Sequence, residues 1–352
     1  MMTSLVTHFQ SHVTIRRERF LPQNGKVLVR KGQKVSADEI LAVCENPPQY
    51  LWLDYARGLG LPIKKADELL QVKVGQNVDE KEILAGPLGW AKRVVRSPQK
   101  GQVVLAGEGQ LLLKVESSGL ELRAGFEATV VDVIAGRGVI LETSGALLQG
   151  IWGNGKAASA VLLNPYHAAE QELTVEHLTI DVQEAILVGG WISNPQTLKS
   201  AADFAVRGLI LGGIEAKLLD LAKEMPYPIL VLDGFGPIAM NSLAYQILSE
   251  NERKFISINA CEWERIKGTR PEAIIVSPAE ENTETTREIV ELSAGQTVRI
   301  CRFPYTARIG RLERINPGRT ILGNGLSVNA GVVILDDGEK VITPLEDLEV
   351  IL

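Results

Sequence analysis

The chain has 352 residues, 45% hydrophobic and 23% charged, with a formal net charge of -6. That length predicts roughly two to four domains with ordinary apolar cores, and the acidic balance excludes a wholly basic surface for bulk nucleic acid. No apolar run approaches the ~20 residues that a bilayer-spanning helix needs, so no membrane partner is expected.

Residues 1–8 show no basic segment followed by an apolar one, so no signal peptide is expected. Residues 1–19 read as an N-terminal tail. His8 and His12 stand four apart within it; a metal would need them on one ordered helix face, and a terminus tends to fray. Cys44, Cys261 and Cys301 are scattered, with no C-x-x-C pair. This argues against a disulfide framework or a zinc site and predicts a reducing, cytoplasmic setting.

A repeat follows. Val29-Arg30-Lys31-Gly32-Gln33-Lys34-Val35 leads to Glu39-Ile40-Leu41-Ala42, and Val72-Lys73-Val74-Gly75-Gln76-Asn77-Val78 leads to Glu82-Ile83-Leu84-Ala85. Each copy predicts a strand, a glycine turn and a second strand. With Ser97-Pro98-Gln99-Lys100-Gly101-Gln102-Val103, the pattern resembles the biotinyl/lipoyl-like barrel-sandwich domains. The lysine hairpin of that family is absent around Lys92, so covalent biotin or lipoate is not expected. Residues 50–70 between the copies show helical spacing and predict a helical insert. The first domain is read as 20–122.

Residues 123–175 predict a small β module with strands at Ala128–Val133 and Gly138–Thr143. Gly150 to Lys156 has the G-x-x-x-x-G-K spacing of a phosphate loop, but Ala157 stands where a metal-binding hydroxyl is required, and Trp152 is bulky where backbone must wrap phosphate. It reads as a glycine-rich β turn.

Residues 176–280 alternate continuous apolar runs with amphipathic stretches, the signature of buried parallel strands covered by helices. The predicted class is therefore multidomain, α/β plus all-β, with a Rossmann-like α/β domain here. Its strands run out into Gly189-Gly190, Gly212-Gly213 and Asp233-Gly234-Phe235-Gly236. Ligands of open α/β sheets bind at strand C-termini, so these eight residues are the predicted pocket for a small molecule or anion. Asp233 is the single acid of the set, and one carboxylate does not make an acid/base pair. His167 and His177 have no partner at metal spacing.

Residues 290–352 predict a β-rich ending, with Asp337-Gly338 as its hairpin turn. Gly295-x-x-Val298-x-Ile300-x-x-x-Pro304-Tyr305-x-x-x-x-Gly310-x-Leu312 resembles the KOW motif of SH3-like barrels, although Ala307 stands where that pattern carries glycine. The resemblance implies contact with RNA or with a protein of the transcription or translation machinery. Arg299, Arg302, Arg308, Arg311, Arg314 and Arg319 are the candidate phosphate contacts. No nucleophile–base signature occurs. The sequence thus leads to a non-catalytic binding or adaptor protein. A KOW-type RNA-associated factor and an enzyme using Asp233 are the alternatives. Ligand identity and oligomeric state are not legible.

Overall fold

The structure is a computed structural model; it describes residues 3–45, 49–88, 93–115, 119–165, 168–264, 269–278, 286 and 289–352. Lys92 and His167 lie outside the described residues. β-Strands dominate, arranged in several sheets. No helix among the described residues is long and apolar enough to cross a membrane.

The expected N-terminal tail is two strands, Thr3–Thr7 and Phe9–Phe20. Val13 and Ile15 are fully buried, and Phe9–Phe20 pairs antiparallel with Gly138–Gln149 along most of its length. Thr3–Thr7 enters the C-terminal sheet instead, antiparallel to Ile289–Glu291 and parallel to Leu348–Ile351. The alternation Val13-x-Ile15 supplies a half-buried strand with its apolar face, and its partners lie more than a hundred residues away. His12 sits on this strand and His8 just before it, with no helix to align them. The ring of His8 bonds Gln10, and that of His12 bonds the Pro278 carbonyl.

Residues 20–122 form two units rather than one. Ile40–Cys44 pairs with Leu120–Arg123, closing a module whose core includes Val35, Leu41, Phe126, Val130 and Leu141. Residues 49–115 are inserted between those strands and bury a core of their own around Tyr55, Leu59, Val78, Leu84 and Leu113. The expected helical insert is the strand Gln49–Asp54 followed by two single-turn helices, Tyr55–Leu59 and Ile63–Asp67.

The repeat is real at the level of individual bonds. At Gly32 and Gly75 the backbone has φ of 83° and 89°, the left-handed region that glycine adopts at least cost. In each copy the glutamine N–H donates to the carbonyl three residues back, Arg30 or Lys73, while the glutamine side chain accepts from that same residue's N–H. A third copy exists that sequence reading missed. Gly295 has φ of 93°, the Gln296 N–H donates to the Ser293 carbonyl, and the Gln296 side chain accepts from the Ser293 N–H. The shared signal is G-Q-x-V, and Val35, Val78 and Val298 each point into the core of a different module. Gln296→Ala should therefore lower unfolding free energy by about 0.5–1 kcal/mol, measured by urea denaturation, since water can partly replace the lost acceptor.

The expected small β module of residues 123–175 does not stand apart. Gly138–Gln149 pairs with Ala128–Ile134 along its first half and with Glu272–Val276 along its second, so one sheet runs from the N-terminal module into the α/β region. There Ala157–Leu163, Ala185–Ile192, Gly208–Ile214 and Ile229–Phe235 are parallel neighbours. Successive side chains on these strands alternate between faces. Ile186, Val188, Ile210 and Leu230 pack against helix Ser242–Glu250, whereas Leu187, Leu209, Leu211 and Val231 pack against helices Pro195–Asp203 and Leu219–Glu224. Trp152–Gly153 is a short edge strand beside Ile229–Phe235, with Trp152 against the α/β core. Buried Asn154 next to it bonds the carbonyls of Ala222 and Tyr227 and the N–H of Ile229, which excludes a phosphate loop at this turn.

The C-terminal sheet adds Thr297–Ile300, Ile309–Ile321, Ser327–Leu335 and Lys340–Pro344, in that order, to the strands shared with the N-terminus. Ala307 has φ of 69°, in the left-handed region.

Candidate functional site

The predicted glycine corners are occupied by the chain itself. A Cβ built on Gly190 would lie 2.5 Å from the Ala169 carbonyl oxygen and 2.6 Å from that of Gln171. On Gly212 it would lie 2.5 Å from Met240 Cα, and on Gly213 2.6 Å from the Gly236 oxygen. Gly189 meets Leu173 and Leu211, and Gly234 meets Ile238. Two crossing segments, 168–173 and 236–241, thus lie over the strand ends, and glycine is needed so that they can approach. Only Gly236 faces open space, beside half-exposed Phe235. Among the described residues, five of the six predicted glycines are thus covered by neighbouring chain rather than open to a ligand.

Asp233 is buried, and its partner is a residue expected in a different site. The Arg299 guanidinium donates to Asp233 Oδ1 at 3.3 Å and to the Leu232 carbonyl at 2.9 Å. Asp233 also accepts from the N–H and side-chain amide of Asn241, which itself caps helix Ser242–Glu250 through the Ala244 N–H. The other arm of Arg299 reaches Glu349 at 2.6 Å. Glu349 pairs in turn with Arg270 at 3.0 Å and accepts from the Thr7 hydroxyl. Arg270 stacks on Trp263, and Arg299 lies over Phe9. Arg299 is 1% exposed and is no phosphate contact. It fits this place because Val298 and Ile300 on either side are buried with it on the innermost part of the sheet.

Burial pushes the Asp233 carboxyl upward, against the pull of Arg299 and Asn241. Burial acts on Glu349 in the same direction, but two guanidinium groups and the Thr7 hydroxyl outweigh it and hold the carboxyl down at about 2. Arg299 is held above its ordinary value: burial lowers it and the two carboxylates more than compensate. Both carboxylates and both guanidinium groups have internal partners, so the cluster is a joint between the N-terminal strand, the α/β sheet and the C-terminal module.

The remaining arginines stay on the surface, two of them discharged locally. Arg302 pairs with Asp347 at 3.3 Å and Arg308 with Asp337 at 2.6 Å. Arg311 donates to the Gly295 carbonyl and Arg319 to that of Ser327, on the hairpin Ile309–Leu335, while Arg314 is exposed there.

An open groove of about 400 Å³ lies on this same module, and sequence reading did not identify it. Its walls are Arg302, Phe303, Pro304 and Tyr305 on one side and the hairpin tip from Ile321 to Asn324 on the other, with Val341 to Pro344 along it. Phe303 is 86% exposed, Ile321 76% and Ile342 54%. Large apolar side chains exposed together mark an interaction surface more often than a solvated one. The Phe303-Pro-Tyr305 triplet was legible, but its exposure depends on the distant strand that faces it. No protein-family model matches the chain, and no curated protein does.

Proposed function

We propose that the chain is a non-catalytic multidomain binding protein, an adaptor that holds a macromolecular partner in the groove of its C-terminal module. The observation that carries this reading is the convergence of Phe303, Ile321 and Ile342 on one open groove, beside a central domain whose strand ends are filled by its own chain. We read the central domain as Rossmann-like and the C-terminal module as an SH3-like barrel of the KOW type. In this reading the α/β unit is a rigid mount, and Arg299 plugs into it where a ligand would otherwise sit. Asp233 is spent on Asn241 and Arg299 and does not face a substrate. Three free cysteines favour a cytoplasmic setting.

RNA is the second reading. It is favoured by the exposed Phe303 ring, a stacking platform, beside Arg302 on a module that also carries Arg314 and Arg319 on its surface. One experiment separates the two. A photoreactive residue replacing Phe303 in the full chain, irradiated in cells, is expected to yield one discrete protein adduct, with none from the same residue at exposed Glu80. A nuclease-sensitive adduct would transfer the assignment to RNA. Equal, diffuse labelling at both positions would remove the groove from the argument.

A further inference from the structure

The groove runs along a strand with one free edge. Lys340–Pro344 pairs with Ser327–Leu335 on one side and, among the described residues, with nothing on the other. The hairpin geometry fixes which backbone groups face outward. The Leu335 N–H donates to the Glu339 carbonyl, and the Gly338 N–H to that of Leu335. Antiparallel pairs alternate between hydrogen-bonded and non-hydrogen-bonded. With Leu335 and Glu339 bonded, the pairs Val333–Val341 and Gly331–Thr343 are bonded as well. Lys340, Ile342 and Pro344 fall on the alternate set, so the N–H and C=O groups of Lys340 and Ile342 point away from the ladder, on the free edge of the strand whose residues Val341 to Pro344 line the groove. Pro344 fits this register, because an outward position is where a residue without an N–H loses no ladder bond.

We infer that the groove receives an extended apolar peptide from a protein partner, added as a further strand on the edge at Ile342; this rests on the reading of the groove as the partner site. A free ladder edge offers paired N–H and C=O groups, which a peptide backbone matches and a nucleic acid does not. Charge points the same way. Residues 289–352 contain seven lysines and arginines and eight acidic side chains, so no net attraction for phosphate remains. Arg302 and Arg308, the cations nearest the Phe303 loop in sequence, are already paired with Asp347 and Asp337. What the groove presents unpaired is apolar: Phe303 and Ile321 on its walls and Ile342 on its edge strand. These suit alternate side chains of an incoming strand. Lys340 and Pro344 at the two ends limit pairing to a short stretch, as edge strands in stable proteins commonly do.

The probe is a phage-displayed library of short random peptides panned on the full chain, the enriched sequences then being synthesised and titrated. Enrichment of peptides with alternating apolar residues is expected. The Lys340 and Ile342 amides should exchange freely in the chain alone and gain protection when peptide is added, read by NMR. Ile342→Pro removes an outward N–H without taking a bond from the internal ladder. It should weaken binding at least about tenfold, whereas Ile342→Thr, which keeps the N–H and the branched shape, should weaken it by no more than about threefold. Equal losses in both variants, or binding without protection of the Ile342 amide, would overturn strand addition while leaving the groove as a binding site. No enrichment over a Phe303→Ser, Ile321→Ser chain would overturn the strand-addition inference. A missing adduct at position 303 would overturn the groove itself.

Discussion

Arg299→Met is expected to lower the unfolding free energy by about 3–5 kcal/mol, because it leaves buried Asp233 with no cation and Glu349 with Arg270 alone. Methionine keeps much of the volume, so the loss is electrostatic rather than a cavity. Asp233 is buried and Glu349 nearly so, and neither can turn to water without opening the joint. The pH dependence has a definite sign for Glu349, whereas Asp233, pushed upward by burial, contributes in the opposite direction. Glu349 is held below its ordinary value, so its contribution is present above about pH 4.5 and is lost as pH falls toward about 2. In Arg299→Met the carboxylates lose that support and bind protons more readily, which relieves their burial. The stability gap between wild type and variant should therefore narrow on acidification below about pH 4.5, as measured by urea denaturation across that range. Neutralising Asp233 with Asp233→Asn in the same chain should recover part of the loss, since its uncompensated charge is gone while Glu349 keeps Arg270. A penalty below about 1 kcal/mol at neutral pH, the scale of an exposed ion pair, would show that the joint is open to solvent.

The same joint shows how far the sequence could be read. Both ends of the Asp233–Arg299 pair stood out, one as an acid among glycines and one as a cation in a basic strip. Nothing local says that they meet across 66 positions. A clue was present: Arg299 lies between Val298 and Ile300, both buried, whereas Arg311 and Arg314 are exposed positions on either side of buried Leu312. Turn chemistry was the most legible level, because it is written in four consecutive residues. Gly32 and Gly75 were found for that reason. Gly295 was missed because Val298 is not followed by the Glu-Ile-Leu-Ala run that announces the other two. Topology was the least legible. Phe9–Phe20 carries Arg16-Arg17-Glu18-Arg19 and looks like a solvated tail until Gly138–Gln149 is laid beside it. The insertion of residues 49–115 between Cys44 and Leu120 is likewise invisible locally, since each of the two cores draws on ordinary alternating strands.

Gly212→Ala should destabilise the chain by about 1–3 kcal/mol, the usual penalty for forcing an extra methyl group into a filled interior. The added carbon would meet the Met240 backbone and lie 2.8 Å from the Ala239 carbonyl carbon. Backbone cannot rotate aside as the end of a side chain can. Met240 is also tied down, since its N–H donates to the Ala169 carbonyl. Displacing it would disturb Asn241 next in sequence, and with it the cap on helix Ser242–Glu250 and the bonds to Asp233. Gly323→Ala is the matched control: a Cβ there meets nothing within 4 Å, and its effect should stay within about 0.5 kcal/mol. Denaturation of both variants decides what the glycines are for. If they let two chain segments cross, Gly212→Ala loses stability and Gly323→Ala does not. A Gly212→Ala chain as stable as wild type, from which a small molecule seen in native mass spectrometry of the wild type has vanished, would instead make the strand end a binding site. The close approach of Met240 favours the first result, because a ligand and a crossing backbone cannot occupy the same space.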